Sequence, residues 1–210
     1  MKRFFNVLTI KQKILMILSV CILVTAIGVS YAYFIGSIGD SAITDIDVQS
    51  QVSDKLEFIP GTDINLIASI SNFYENAGNL SAETNTQAKL TASIGGTPSY
   101  TYNAFFVIDS NSFIYTTVAK EAEVLMNVYD PTGTEITSIA GIHYVTSGSL
   151  SGFDITESYG SFKIAGEYAI STTSEITQNW RVVVTFVNLN TSQRSNENKS
   201  LTGKIYLTRD

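Results

Sequence analysis

The chain has 210 residues, 13 Lys and Arg against 19 Asp and Glu, a net charge of −6 and 44% hydrophobic residues. An acidic balance with no basic cluster in the body of the chain excludes nucleic acid and anionic lipid as expected partners, because both are held by Lys/Arg patches. A single cysteine leaves no intramolecular disulfide, so the fold must rest on its own apolar core.

Residues 11–34, KQKILMILSVCILVTAIGVSYAYF, set where the protein works. Behind Lys11 and Lys13, residues 14–29 carry no charge, and the stretch leaves through Ser30-Tyr31-Ala32. A basic start, an apolar middle and a small-x-small exit describe a secretory signal, with cleavage between Ala32 and Tyr33. Read through Phe34, the same stretch reaches the roughly 20 residues of a membrane-spanning helix, so a retained signal anchor is the competing reading. Tyr31, Tyr33 and Phe34 would then lie at the outer interface. Leu18-Ser19-Val20-Cys21 is close to a lipoprotein box, but Val20 stands where a small residue belongs, and Cys21 reads as a small hydrophobe. In either form the remainder faces outside. If the signal is removed, its four basic residues go with it, leaving nine basic residues against nineteen acidic ones.

Three segments are therefore expected: a signal or anchor over 1–32, an extended segment over 33–54 and a β-domain over 55–210. Within the second, Ile43, Ile46 and Val48 form a weakly alternating, strand-capable pattern among polar residues. From residue 55 onward, short runs rich in Val, Ile, Thr, Tyr and Phe alternate with Gly, Asn, Asp, Ser and Pro clusters, which predicts strands and turns. The expected strands are 55–58, 65–70, 87–93, 102–108, 113–118, 123–129, 135–138, 143–146, 162–170, 179–188 and 203–208. Asp130-Pro131-Thr132-Gly133 places proline and glycine as a tight turn requires and should join two antiparallel strands. Residues 95–98 and 109–112 read as further breaks. Trp180, Val182, Val184 and Phe186 share one face of the strongest strand, which reads as central in its sheet. Residues 72–77 and 119–123 are the only helical candidates. The fold class is all-β, an antiparallel two-sheet β-sandwich of jelly-roll type preceded by the N-terminal signal or transmembrane helix.

Catalytic groups are few. His143 is the only histidine, so an HExxH zinc site is impossible, and no GxSxG elbow accompanies it for a Ser-His-Asp arrangement. Asp40, Asp45 and Asp47 offer hard oxygen ligands without the spacing of a calcium loop. Glu121 with Glu123, and Asp154 with Glu157, read as surface acids flanking strands. Tyr100, Tyr102, Phe105, Phe106, Phe113 and Tyr115 are candidates for a sugar-binding face, but sheet-on-sheet packing consumes such residues, and core is the stronger reading. Asn79, Asn190 and Asn198 match glycosylation acceptors. No catalytic, cofactor-binding or metal residues are assigned, and no enzymatic activity is expected.

Ser30-Tyr31-Ala32-Tyr33-Phe34 followed by a polar stretch resembles the TasA/camelysin family of secreted bacterial surface proteins, whose signal ends in an Ala-Tyr-Phe-like motif. Residues 72–81 and 180–189 resemble in texture the domains of small Gram-positive surface proteins as well, and the family resemblance covers the β-domain only by class. The pattern departs at Ile35-Gly36, where that family carries Ser/Thr and an acid. The resemblance implies a jelly-roll domain and a role as a matrix fibre subunit; the metalloprotease activity described for camelysin-like members does not transfer, since no metal-ligand set is present. The expectation is thus an exported bacterial structural protein whose N-terminal segment adds as a strand to the next copy, with itself and other matrix or surface proteins as partners. The alternative is a membrane-anchored binding or adhesion module for glycan or protein. No second hydrophobic segment and no C-terminal sorting motif are seen in the sequence.

Overall fold

The computed structural model describes Lys11, residues 53–69, Ser71 and residues 78–209. The cleavage residues Ala32 and Tyr33, the segment with Ile43, Ile46 and Val48, the acids Asp40, Asp45 and Asp47, and the helical candidate 72–77 all lie outside the described residues.

Eleven strands make up the domain: β1 Lys55–Ile59, β2 Ile64–Ile67, β3 Leu80–Thr91, β4 Ser99–Asn111, β5 Val124–Tyr129, β6 Glu135–Ile136, β7 Tyr144–Ser147, β8 Leu150–Asp154, β9 Gly160–Ser171, β10 Glu175–Phe186 and β11 Ser200–Thr208. The first sheet runs β1-β3-β10-β5-β8-β7, with β6 also pairing β5, and the second runs β2-β11-β4-β9. Every pairing is antiparallel. The chain passes back and forth between the sheets from β3 to β4 to β5, and again from β8 through β9 and β10 to β11, while β3 and β10 pair over twelve residues. Ser50–Asp210 forms one compact unit.

Period-two patterning explains why these segments pair. On β10, Trp180, Val182, Val184 and Phe186 are fully buried, and they meet Leu66, Tyr102, Phe106, Ile108, Leu201 and Ile205 of the second sheet in one core. β10 lies between β3 and β5, as a strand with apolar residues on both faces should. The Asp130 turn also forms as its sequence requires. Gly133 N–H donates to Asp130 O at 2.9 Å, Asp130 Oδ1 accepts from Thr132 and Thr134, and β5 and β6 pair antiparallel across it.

Several expected elements differ. Residues 113–118 are not a strand, because side chains take the backbone groups that a ladder would use. Phe113 N–H donates to Asn111 Oδ1, Ile114 N–H to Asn196 Oδ1 and Thr116 N–H to Glu123 Oε1. Residues 119–123 hold no helix; Lys120 N–H closes a single turn onto Thr117 O. The break expected at 109–112 is strand as far as Asn111, because Ser110 Oγ and Thr202 Oγ1 bond across β4 and β11 at 2.7 Å. β8 was not expected from Leu150-Ser-Gly-Phe-Asp. Its Gly152 packs against β5, where a Cβ would lie 3.1 Å from Met126 O.

Candidate functional site

Among the described residues, the edges at β7, β1, β9 and the far end of β11 are not equivalent. An edge presents unpaired N–H and C=O groups, and natural sheets blunt such edges with brevity, charge or bulges. β7 is four residues long. β1 has five and carries a Lys55–Glu57 ion pair at 2.6 Å. β9 has twelve, but its register with β4 shifts on either side of Ala104, and Glu167 sits in the left-handed region at φ 52. Asn103 Oδ1 accepts the Glu167 N–H at 3.2 Å, and Lys163 and Glu167 are exposed along the strand, so this edge is kinked and charged.

The fourth edge differs in having an apolar cleft beside it, although it too carries a charge, Lys204. β11 pairs with β4 from Leu201 to Thr208, whereas on its other side β2 covers Ser200–Gly203 alone. Among the described residues, 204–208 have no strand on that side. β1 remains on the first sheet up to Ile59, opposite Gln87, and the chain then crosses through residues 60–63 to begin β2 opposite Gly203. The late crossing leaves a cleft between the sheets, of about 230 Å³, lined by Phe58, Pro60, Thr86, Ile205, Tyr206 and Leu207.

The cleft is apolar at its walls and poorly bonded beneath. Thr86 Oγ1 reaches Ile205 O at a long 3.4 Å. Thr84, the next inward position on β3, is 1% exposed, and its hydroxyl has no partner among the described residues. A buried hydroxyl without a partner costs free energy. At the outer rim, Tyr206 is 56% exposed, and Lys204 meets Asp109 at 3.1 Å, the ion pair that raises its pKa. Chemically the arrangement offers backbone donors and acceptors along one line, an apolar slot on the core side and a cation on the solvent side. That combination suits an extended peptide.

The residues singled out from the sequence fall elsewhere. His143 is exposed just before β7, with its carbonyl accepting Asp154 N–H at 3.0 Å. Among the described residues no group of three His, Cys, Asp or Glu side chains is placed to hold a metal. Tyr102, Phe106 and Phe113 are core, while Phe105 faces outward half-buried, Tyr100 stacks under Arg209 at 4.5 Å and Tyr115 donates to Asp154 Oδ2 at 2.7 Å. Glu121 and Glu157 are exposed, as surface acids should be.

Glu123 is a correction. It is fully buried, with Thr116 N–H and Oγ1–H donating to Oε1 at 2.5 Å each, and the Gln193 and Asn196 amides donating to Oε2 at 2.8 and 2.7 Å. The carboxylate ties the 112–122 loop and the 3-10 turn Arg194–Asn196 to the start of β5. Four donors compensate its burial, which is why an acid sits in the interior.

No protein-family model, curated protein or solved structure matches this chain.

Proposed function

We propose that the protein is an exported structural subunit of an extracellular bacterial fibre, matrix or surface layer, built on a jelly-roll sandwich and assembling by strand addition. The observation that carries this reading is the edge at 204–208 of β11, which no strand among the described residues covers, beside its apolar cleft. The donor is the segment 35–52 of a neighbouring copy, freed by cleavage between Ala32 and Tyr33. Drawn out as a strand, it places Ile46 and Val48 on one face and Ile43, Asp45 and Asp47 on the other. The first face suits the slot between Phe58, Ile205 and Leu207; the second lies toward Tyr206 and Lys204. Because donor and acceptor are different surfaces of one chain, the contact is head-to-tail and propagates into filaments. The jelly-roll reading is supported by the passage of the chain between sheets and by the long β3–β10 pairing that joins its two halves.

The test is the native protein and a variant lacking residues 35–52, compared by N-terminal sequencing and negative-stain microscopy. The expected result is a mature start at Tyr33 with filaments for the native chain and none for the variant. Filaments from the shortened chain would remove the assembly mechanism. An intact Met1 in the membrane fraction without filaments would favour the anchored binding module.

A further inference from the structure

Gly61 lies where the chain leaves the first sheet for the second. Ile59 pairs with Gln87 on β3, and two residues further along the same register Gly61 comes opposite Asn85. A Cβ placed on Gly61 would lie 1.6 Å from Asn85 O and 2.7 Å from Asn85 C, far inside any tolerated contact and against backbone rather than a movable side chain. The chain therefore stays against the first sheet through this point only because residue 61 has no side chain. It changes sheet over the next two residues and starts β2 at Ile64 opposite Gly203. Strands that switch sheets do so at bends, and the position of the bend decides how much of each partner strand is covered. A switch before Gly61 would, by the register of β2 with β11, carry residues 59–63 onto 204–208 of β11 and fill the cleft from within.

We infer that Gly61 is the positioning residue that holds the acceptor edge open, by fixing the sheet switch on the Asn85 side of the cleft. This rests on the assembly reading above, and it adds a specific consequence: the edge can be closed by moving the crossover, without touching donor or acceptor residues. In full-length Gly61→Ala the crossover is pushed off β3 toward β11, so the subunit folds with its own chain occupying the slot.

The experiment compares filament formation by the full native chain, by Gly61→Ala and by a chain with one glycine inserted after Gly61, which gives the crossover slack without adding a Cβ. Burial of Trp180 is followed by fluorescence to confirm folding. The expected result is folded variants whose critical concentration for filaments rises by about tenfold or more. The insertion variant serves if Gly61→Ala does not fold. Folded variants that assemble at the native concentration would overturn the role of Gly61 while leaving strand addition intact. A native chain that forms no filaments would overturn the assembly reading and this inference with it.

Discussion

Trp180 and Tyr102 join the two sheets through a hydrogen bond: the indole N–H of Trp180, on β10, donates to the Tyr102 hydroxyl, on β4, at 2.9 Å. The hydroxyl in turn donates to Gln178 Oε1 at 2.7 Å, and the Gln178 amide donates to Ala169 O on β9 at 3.0 Å. Tyr168 packs edge-on to the indole with ring centres 5.0 Å apart. A polar chain thus runs from the buried indole out to the partly buried Gln178. Tyr102→Phe leaves the buried indole N–H without an acceptor, which costs about 1–3 kcal/mol. Urea unfolding followed by the fluorescence of Trp180 should show that loss, with little change in the dependence on denaturant.

Alkaline pH tests the same residue without mutation. Burial pushes the Tyr102 hydroxyl up from 10.0 to about 12. The folded state therefore favours the neutral phenol, and its contribution is complete below the unfolded value of 10.0 and lost as pH rises from there toward about 12. Tyr115 is pushed up to about 12 as well, by burial and its bond to Asp154, and adds to the same window. The urea midpoint should fall over that range in the native chain and fall less in Tyr102→Phe. A pH-independent midpoint would contradict the assignment.

Glu123→Gln should destabilise the domain by roughly 2–3 kcal/mol although the side chain keeps its size. The new amide group turns two hydrogens toward a ring of donors, so the contacts from Thr116 on one side, or Gln193 and Asn196 on the other, become repulsive. Calorimetric melting checks this. The native melting temperature in the variant would mean that the four donors are not what holds the carboxylate.

Thr84→Val should stabilise the domain by about 1 kcal/mol, since it removes a buried hydroxyl that has no partner among the described residues and keeps the branched shape. The readout is again the urea midpoint. A destabilised variant would show that the hydroxyl is bonded.

The sequence is most legible where alternation is strict. Trp180, Val182, Val184 and Phe186 mark a core-facing strand from their spacing alone, and all four are fully buried on a central strand. The Asp130 turn is equally readable, because proline and glycine fix its geometry locally. Legibility fails where long-range partners decide. Phe113-Ile-Tyr-Thr-Thr-Val has strand composition, yet Asn196, 82 residues away, takes the Ile114 amide. Glu123 reads as a surface acid because its donors Gln193 and Asn196 lie 70 and 73 residues downstream. The open edge is hidden for the same reason. Strand 203–208 is visible in the sequence, but β2's cover of only Ser200–Gly203 depends on where the crossover turns. Pro60-Gly61 is the one local signal that could have pointed to it.

The edge itself gives the most direct test of the account. Amide hydrogen exchange should be measured along β11 in the full chain, below its assembly threshold and in filaments. Strand addition predicts fast exchange in the free subunit for those amides in 204–208 that do not bond β4, and protection greater by about a hundredfold in the filament, with β4–β9 amides unchanged. Equal protection of 204–208 in both states would contradict strand addition at this edge.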